Sequence, residues 1–267
     1  MKIKANGIHM NYELSGKDNA PVVVLSHSLA SSLEMWRPQM DELNRHFRVL
    51  SYDTRGHGGT DAPALPYTLA QLGEDAMALL DALDMDVVHW VGLSMGGMIG
   101  QQIVLNHPGR FRSLSLCDTA AVLPKEADPV WQERIDLARS EGMTALVKST
   151  LERWFTPAYI ARNPPMVDVI RRHLLATPVD GYAGCSEAIR GLDYLDRLSE
   201  IKAPTLIMVG EDDPGTPVDA SRAMHDRIPQ SKLVVLPSAA HLSNIEQTKG
   251  FNRALMAFLT EASPAIL

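Results

Sequence analysis

Cysteine is scarce in this chain, with two in 267 residues, and so are aromatic residues, at 6% of the total. Cys117 and Cys185 are too few and too far apart for a disulfide framework or a thiolate zinc site. The expected setting is therefore reducing, and the cytoplasm is the expected location. No apolar run approaches the ~18 residues of a membrane span. No block of basic residues breaks the net charge of −7, which argues against a nucleic-acid or anionic-membrane partner. Internal repeats and low-complexity tracts are also missing, and only the tail from Glu261 to Leu267 reads as frayed. The first residues, Met1 to Glu13, alternate around Asn6-Gly7 as a hairpin does, without the apolar h-region of a secretion signal. Export is not expected.

With 45% hydrophobic residues, a chain this long buries enough surface to fold without metal or disulfide. Near-continuous apolar runs of strand length occur at Pro21 to Ser26, Phe47 to Tyr52, Val87 to Leu93, Ser113 to Cys117, Thr205 to Gly210 and Lys232 to Leu236. Such runs mark strands buried on both faces. Helical spacing fills the gaps, at Leu69 to Leu83, Gly97 to Asn106 and Asn252 to Leu259. Strand and helix in alternation imply an α/β fold on a mostly parallel sheet. The alternation stops between about Ala121 and Glu200, where four helical patterns appear: Trp131 to Glu141, Met143 to Trp154, Pro165 to Leu175 and Ser186 to Leu198. The expected organisation is a core of residues 1–120 and 200–267, with a helical cap at 121–199.

Gly92-Leu93-Ser94-Met95-Gly96 is a G-x-S-x-G directly after a strand and directly before a helix. An abrupt strand-to-helix turn strains its central residue and exposes the serine hydroxyl, and bulky neighbours would clash there. The Met95 amide then opens a helix, where unpaired N–H groups favour a developing oxyanion. By itself the motif also fits a plain Ser-Gly turn. A base and an orienting acid are needed in the chain order Ser, Asp, His. The loop after Gly210 supplies Asp212 and Asp213, and the loop after Leu236 supplies His241. All three loops leave the carboxyl ends of strands, where sites form in open α/β sheets. The alternative is an acidic helix cap and an unrelated loop histidine. His9, His46, His89, His107, His173 and His225 carry no metal-ligand spacing and read as surface or structural. Neither a metal nor a cofactor is expected.

Leu25-Ser26-His27-Ser28-Leu29 with Met35-Trp36, Tyr52-Asp53-Thr54-Arg55-Gly56-His57-Gly58, the serine elbow, Arg153-Trp154-Phe155-Thr156, Gly181-Tyr182 with Glu187-Ala188-Ile189, Gly210 to Pro217 and His241 to Glu246 together resemble a known family. It is the α/β-hydrolases, and within them the 3-oxoadipate enol-lactonases. The resemblance implies a Ser94, Asp213, His241 triad, choosing Asp213 over Asp212 by its distance from Thr216-Pro217. It further implies oxyanion donors at the Leu29 and Met95 amides, and an acyl-enzyme route from 3-oxoadipate enol-lactone to 3-oxoadipate. His27 and the Arg55/His57 loop read as scaffolding.

A carboxylated substrate calls for a cation, and a bidentate arginine suits a carboxylate best. The cap offers Arg134, Arg153 and Arg190, with Trp131 and Trp154 as apolar wall. Arg134 shares a helical face with Trp131, so this pair is favoured, although a solvated arginine over a core tryptophan would look the same. The expected partner is a small lactone or ester, and a homo-oligomer is possible. Two other functions use the same features: a broad carboxylesterase or cofactor-free haloperoxidase with the same triad, and a ligand receptor on a hydrolase scaffold.

Overall fold

The computed structural model describes residues 1–263. Eight strands form one sheet: β1 (Lys2–Ala5), β2 (Ile8–Gly16), β3 (Val22–Ser26), β4 (Arg48–Tyr52), β5 (Val88–Leu93), β6 (Phe111–Cys117), β7 (Thr205–Gly210) and β8 (Lys232–Leu236). Their order is β1-β2-β4-β3-β5-β6-β7-β8. β1 and β2 form an antiparallel hairpin whose turn residues, Asn6 and Gly7, both have positive φ. β2 pairs antiparallel with β4, and every pair from β4 onward is parallel. The central strands β5 and β7 are buried at every residue, as their unbroken apolar runs require.

The helices are α1 (Arg37–Leu43), α2 (Leu69–Ala82), α3 (Met95–Asn106), α4 (Asp128–Glu141), α5 (Val147–Trp154), α6 (Pro157–Ile160), α7 (Pro165–Ala176), α8 (Val179–Arg190), α9 (Val218–His225), α10 (Ser243–Glu246) and α11 (Thr248–Glu261). Thr68 caps α2, accepting a hydrogen bond from the Gln71 amide at 3.1 Å. This leaves one fewer orphan N–H at the helix start. α2 packs on α3, and α1 packs on α11, where the buried Trp36 and Phe251 rings lie 6.3 Å apart. No helix among the described residues is long and apolar enough to cross a membrane.

Helices α4 to α8 lie between β6 and β7. The segment is closed at its base by the Tyr194 amide donating to the Ala121 carbonyl at 2.7 Å, the Leu123 amide to Leu192 at 3.1 Å, and a bridge between Val122 and Asp193.

Two expectations need correction. The last helix of this segment was expected over Ser186 to Leu198, but α8 starts seven residues earlier, at Val179 after Pro178, and ends at Arg190 before Gly191. Gly181 and Gly184 lie within this helix. In space they let α8 press on the loop after β4: a Cβ at Gly181 would sit 2.0 Å from the Gly56 carbonyl oxygen, and one at Gly184 would sit 2.5 Å from the Tyr67 ring. The second correction concerns the tail expected to fray from Glu261. Glu261 ends an intact helix, and Ser263 is fully buried, its hydroxyl 2.6 Å from His89 Nε2. The remainder of that expectation, 264–267, lies outside the described residues.

Candidate active site

Ser94 occupies the turn between β5 and α3 at φ 54 and ψ −115, a left-handed backbone that non-glycine residues adopt only when held there. What holds it is close packing and hydrogen bonding. A Cβ on Gly92 would approach the Gly96 carbonyl oxygen to 2.1 Å, and a Cβ on Gly96 would come equally close to that of Ser26. The Ser94 amide donates to Cys117 at 2.9 Å, and the Ser94 carbonyl accepts from the Thr119 hydroxyl at 2.7 Å. Met95 is the first residue of α3, so its N–H has no partner within the helix.

His241 and Asp213 meet across the loops after β8 and β7, with Nδ1 2.8 Å from Asp213 Oδ2, and both side chains are buried. Asp213 also accepts from the Thr216 hydroxyl at 2.7 Å and from the Gly215 and Thr216 amides at 2.8 and 3.1 Å. Burial opposes the carboxylate, but the His241 charge and these hydrogen bonds outweigh it and keep the pKa below the ordinary value. The same balance runs the other way at His241. Burial favours the neutral ring, yet the charge and hydrogen bond of Asp213, joined by the charge of Asp118, hold the imidazole above its usual pKa. A base oriented and polarised in this way is suited to take a proton from a hydroxyl. Asp212 is exposed, and its amide donates to the Ala239 carbonyl.

Ser94 and His241 line a single cavity of about 600 Å³, together with Leu29, Trp131, Arg134, Arg153 and Trp154. Trp154 stacks on the His241 ring at 6.3 Å between centroids, and its carbonyl accepts the Leu242 amide at 3.0 Å. Arg134 lies over Trp131, 5.4 Å from the ring centre. Among the described residues, half-buried Arg153 donates only to the Thr150 hydroxyl, at 3.1 Å, and burial together with the nearby Arg134 charge lowers its pKa to about 10. Neither guanidinium pairs with a carboxylate among the described residues. Arg190, the third candidate, is spoken for: it makes a two-pronged bond to Asp128 and also reaches Glu187 and Gln132, and it does not line the cavity.

Leu29 belongs to a loop fixed by two buried histidines. The Ala30 amide donates to His57 Nε2 and the Thr54 amide to His27 Nε2, each at 2.9 Å. Both rings therefore act as acceptors and are neutral. Burial lowers the pKa of each, that of His57 to about 3 with help from the adjacent His27. Two polar side chains tie together segments that are distant in the chain. Glu246 accepts from the Ala240 amide at 3.0 Å and from the Thr156 amide and hydroxyl, tying the base loop to the segment after α5. Asp118, just after β6, reaches both the acid and base loops. A polar residue closing an apolar strand was the available signal for Asp118.

A serine elbow, an imidazole and a carboxylate at one rim of a mostly parallel eight-stranded sheet define a hydrolase of the α/β type. A family model described as alpha/beta hydrolase fold matches residues 21–248. The chain belongs to that family. It is 36% identical over 257 residues to 3-oxoadipate enol-lactonase 2 of Acinetobacter baylyi, covering 96% of this chain and 95% of the relative. The crystal structure of the enol-lactonase from Burkholderia xenovorans superposes with a TM-score of 0.94 at 39% identity, covering 97% of this chain and all of that one. A putative carbamate hydrolase, RutD of Serratia proteamaculans, is 29% identical and covers 96% of this chain and 98% of the relative.

Proposed function

We propose that this enzyme opens a small carboxylated enol-lactone, 3-oxoadipate enol-lactone, to 3-oxoadipate. The observation that carries the reading is the cavity itself, which joins Ser94 and the Asp213-supported His241 to two unpaired arginines. The enol-lactonase relatives support the same substrate.

In this reading His241 takes the Ser94 proton as the oxygen attacks the lactone carbonyl, and the Leu29 and Met95 amides receive the charge on the carbonyl oxygen. Collapse breaks the ring C–O bond and expels an enolate, which takes the proton from the His241 imidazolium and tautomerises to the ketone. An enolate leaves far more readily than an alkoxide, so little acid assistance is required. Water, deprotonated by His241, then attacks the acyl carbon and frees Ser94 with a second carboxylate on the product. Arg134 and Arg153 hold the carboxylate the substrate brings, while Trp131 and Trp154 wall the ring. Helices α4 to α8 act as the cap over this cavity and contribute both arginines to its lining.

A spectrophotometric assay on the enol-lactone beside 4-nitrophenyl acetate tests the reading. Preferential turnover of the enol-lactone is expected. Turnover of the aryl ester with none of the lactone would replace this reading with a general esterase.

A further inference from the structure

Asp118 is a carboxyl with no solvent exposure, and the hydrolytic cycle above does not use it. It stands immediately beyond β6 with its backbone at φ 43, anchored by its amide to the Met208 carbonyl at 2.8 Å. Its two oxygens point to two different loops. Oδ1 accepts from the Gly210 amide at 2.8 Å, three residues before Asp213. Oδ2 accepts from the Ser243 hydroxyl at 2.5 Å, two residues after His241. A single buried side chain thus joins the ends of β6, β7 and β8 at the level of the candidate triad.

We propose that Asp118 is a positioning residue that locks the Asp213 loop to the His241 loop and sets the basicity of the His241 imidazole. The inference rests on the triad reading. Loop locking alone could be done by an amide, but the carboxyl also sits within the electrostatic reach of both partners. Burial, then the Asp213 charge, push its pKa up to about 8, opposed by His241 and by the bonds from Ser243 and Gly210. The groups facing this pair are Asp213 from the β7 loop, His241 from the β8 loop, Cys117 from β6 and Arg153 from α5. Among them Asp118 adds negative charge as it ionises, which favours the imidazolium, whereas Arg153 opposes it.

The test compares Asp118→Asn, Asp118→Ala and Ser243→Ala in the full-length enzyme. The readouts are 4-nitrophenyl acetate hydrolysis across pH and the His241 ring titration followed by nuclear magnetic resonance. Asp118→Ala is expected to lower kcat about 10-fold or more with KM within about two-fold, since a buried N–H and a hydroxyl lose their acceptor. Asp118→Asn keeps an acceptor for Gly210 and a polar partner for Ser243, so it should recover most of kcat. Removing the carboxyl, whose ionised form favours the imidazolium, should still move the His241 titration, and with it the acid limb of kcat/KM, to lower pH. Ser243→Ala, which leaves the carboxyl but weakens its ionised form, should shift the titration the same way by less. It also stands in if Asp118→Ala does not fold. A purely structural role predicts no titration shift in Asp118→Asn, and that result, or wild-type kcat in Asp118→Ala, overturns the proposal. Ser94→Ala in the same assay separates the two ideas. Retained turnover there sinks the triad reading, while the His241 titration still decides whether Asp118 governs the ring.

Discussion

Two arginines, Arg55 in the frame and Arg153 on the cavity wall, have opposite surroundings. Arg55, in the loop after β4, is 5% exposed and grips Asp75 with two bonds of 2.6 and 2.7 Å, with Tyr67 5.7 Å from its guanidinium. The Asp75 hydrogen bond raises its pKa despite burial. Arg153, on α5, has a single hydroxyl partner and a second cation nearby, and its pKa falls. Satisfying a buried charge completely makes it part of the frame. Leaving one half-desolvated and unpaired stores an attraction that an incoming anion can use. The same division separates the neutral, fully bonded His27 and His57, which hold the Leu29 loop, from His241, which keeps one ring nitrogen on Asp213 while lining the cavity.

Breaking the satisfied side should damage stability. Asp75→Ala strands Arg55 in the core and also takes a partner from the Asn6 side chain, so a loss of about 3–5 kcal/mol is expected. Calorimetry should show Tm falling by about 10 °C, with turnover per folded molecule at 25 °C near wild type. A Tm unchanged by Asp75→Ala would remove the contrast.

Breaking the unsatisfied side should damage binding. Arg153→Ala is expected to raise KM for the carboxylated lactone about 10- to 100-fold, the cost of losing a charged hydrogen bond, without affecting neutral esters. Tm should hold or rise because an unpaired cation has left a partly buried site. Equal effects on both substrates would take Arg153 out of the recognition of charge. Arg134→Ala should act in the same direction with a smaller effect, since Trp131 already engages that guanidinium.

Acid probes the histidine half of the comparison. His57 folds with its pKa lowered to about 3 and unfolds to an ordinary value, so the unfolded chain binds more protons between those limits. Its contribution is complete above about pH 6.5 and is lost as pH falls toward 3, amounting to about 2 kcal/mol at pH 5. Denaturant melts at pH 7 and pH 5 should show this loss, and His57→Gln should flatten the dependence. Activity should fail earlier on the same descent, because the His241 pKa is raised and kcat/KM drops as that ring becomes cationic.

The inner strands β3 to β7 were legible because burial on both faces leaves a near-unbroken apolar run, and the elbow because the glycines around Ser94 are a steric demand of the turn. β8 kept such a run although it is an edge strand with Lys232 and Val235 exposed, so the expectation that it is buried on both faces is corrected. The acid and base loops followed from chain order, with the choice of Asp213 coming through the family resemblance. α8 was misplaced because Gly181 and Gly184 serve contacts with a loop over 100 residues away, and local propensity contains nothing of that partner. Asp118 escaped for the same reason: it joins segments remote in the chain, and a lone acid after a strand has many ordinary explanations. Arg153 could be named from sequence, but its lack of a counter-ion, the property that sets it apart from Arg190, exists only in three dimensions.

The most direct measurement is peptide mapping by mass spectrometry after treatment with a fluorophosphonate, which marks a serine only where a base has activated it. A single adduct on Ser94, formed in the wild type and lost in Ser94→Ala with the fold intact, is predicted. An adduct on another residue, or labelling that persists in the variant, would contradict the assignment of Ser94 as nucleophile.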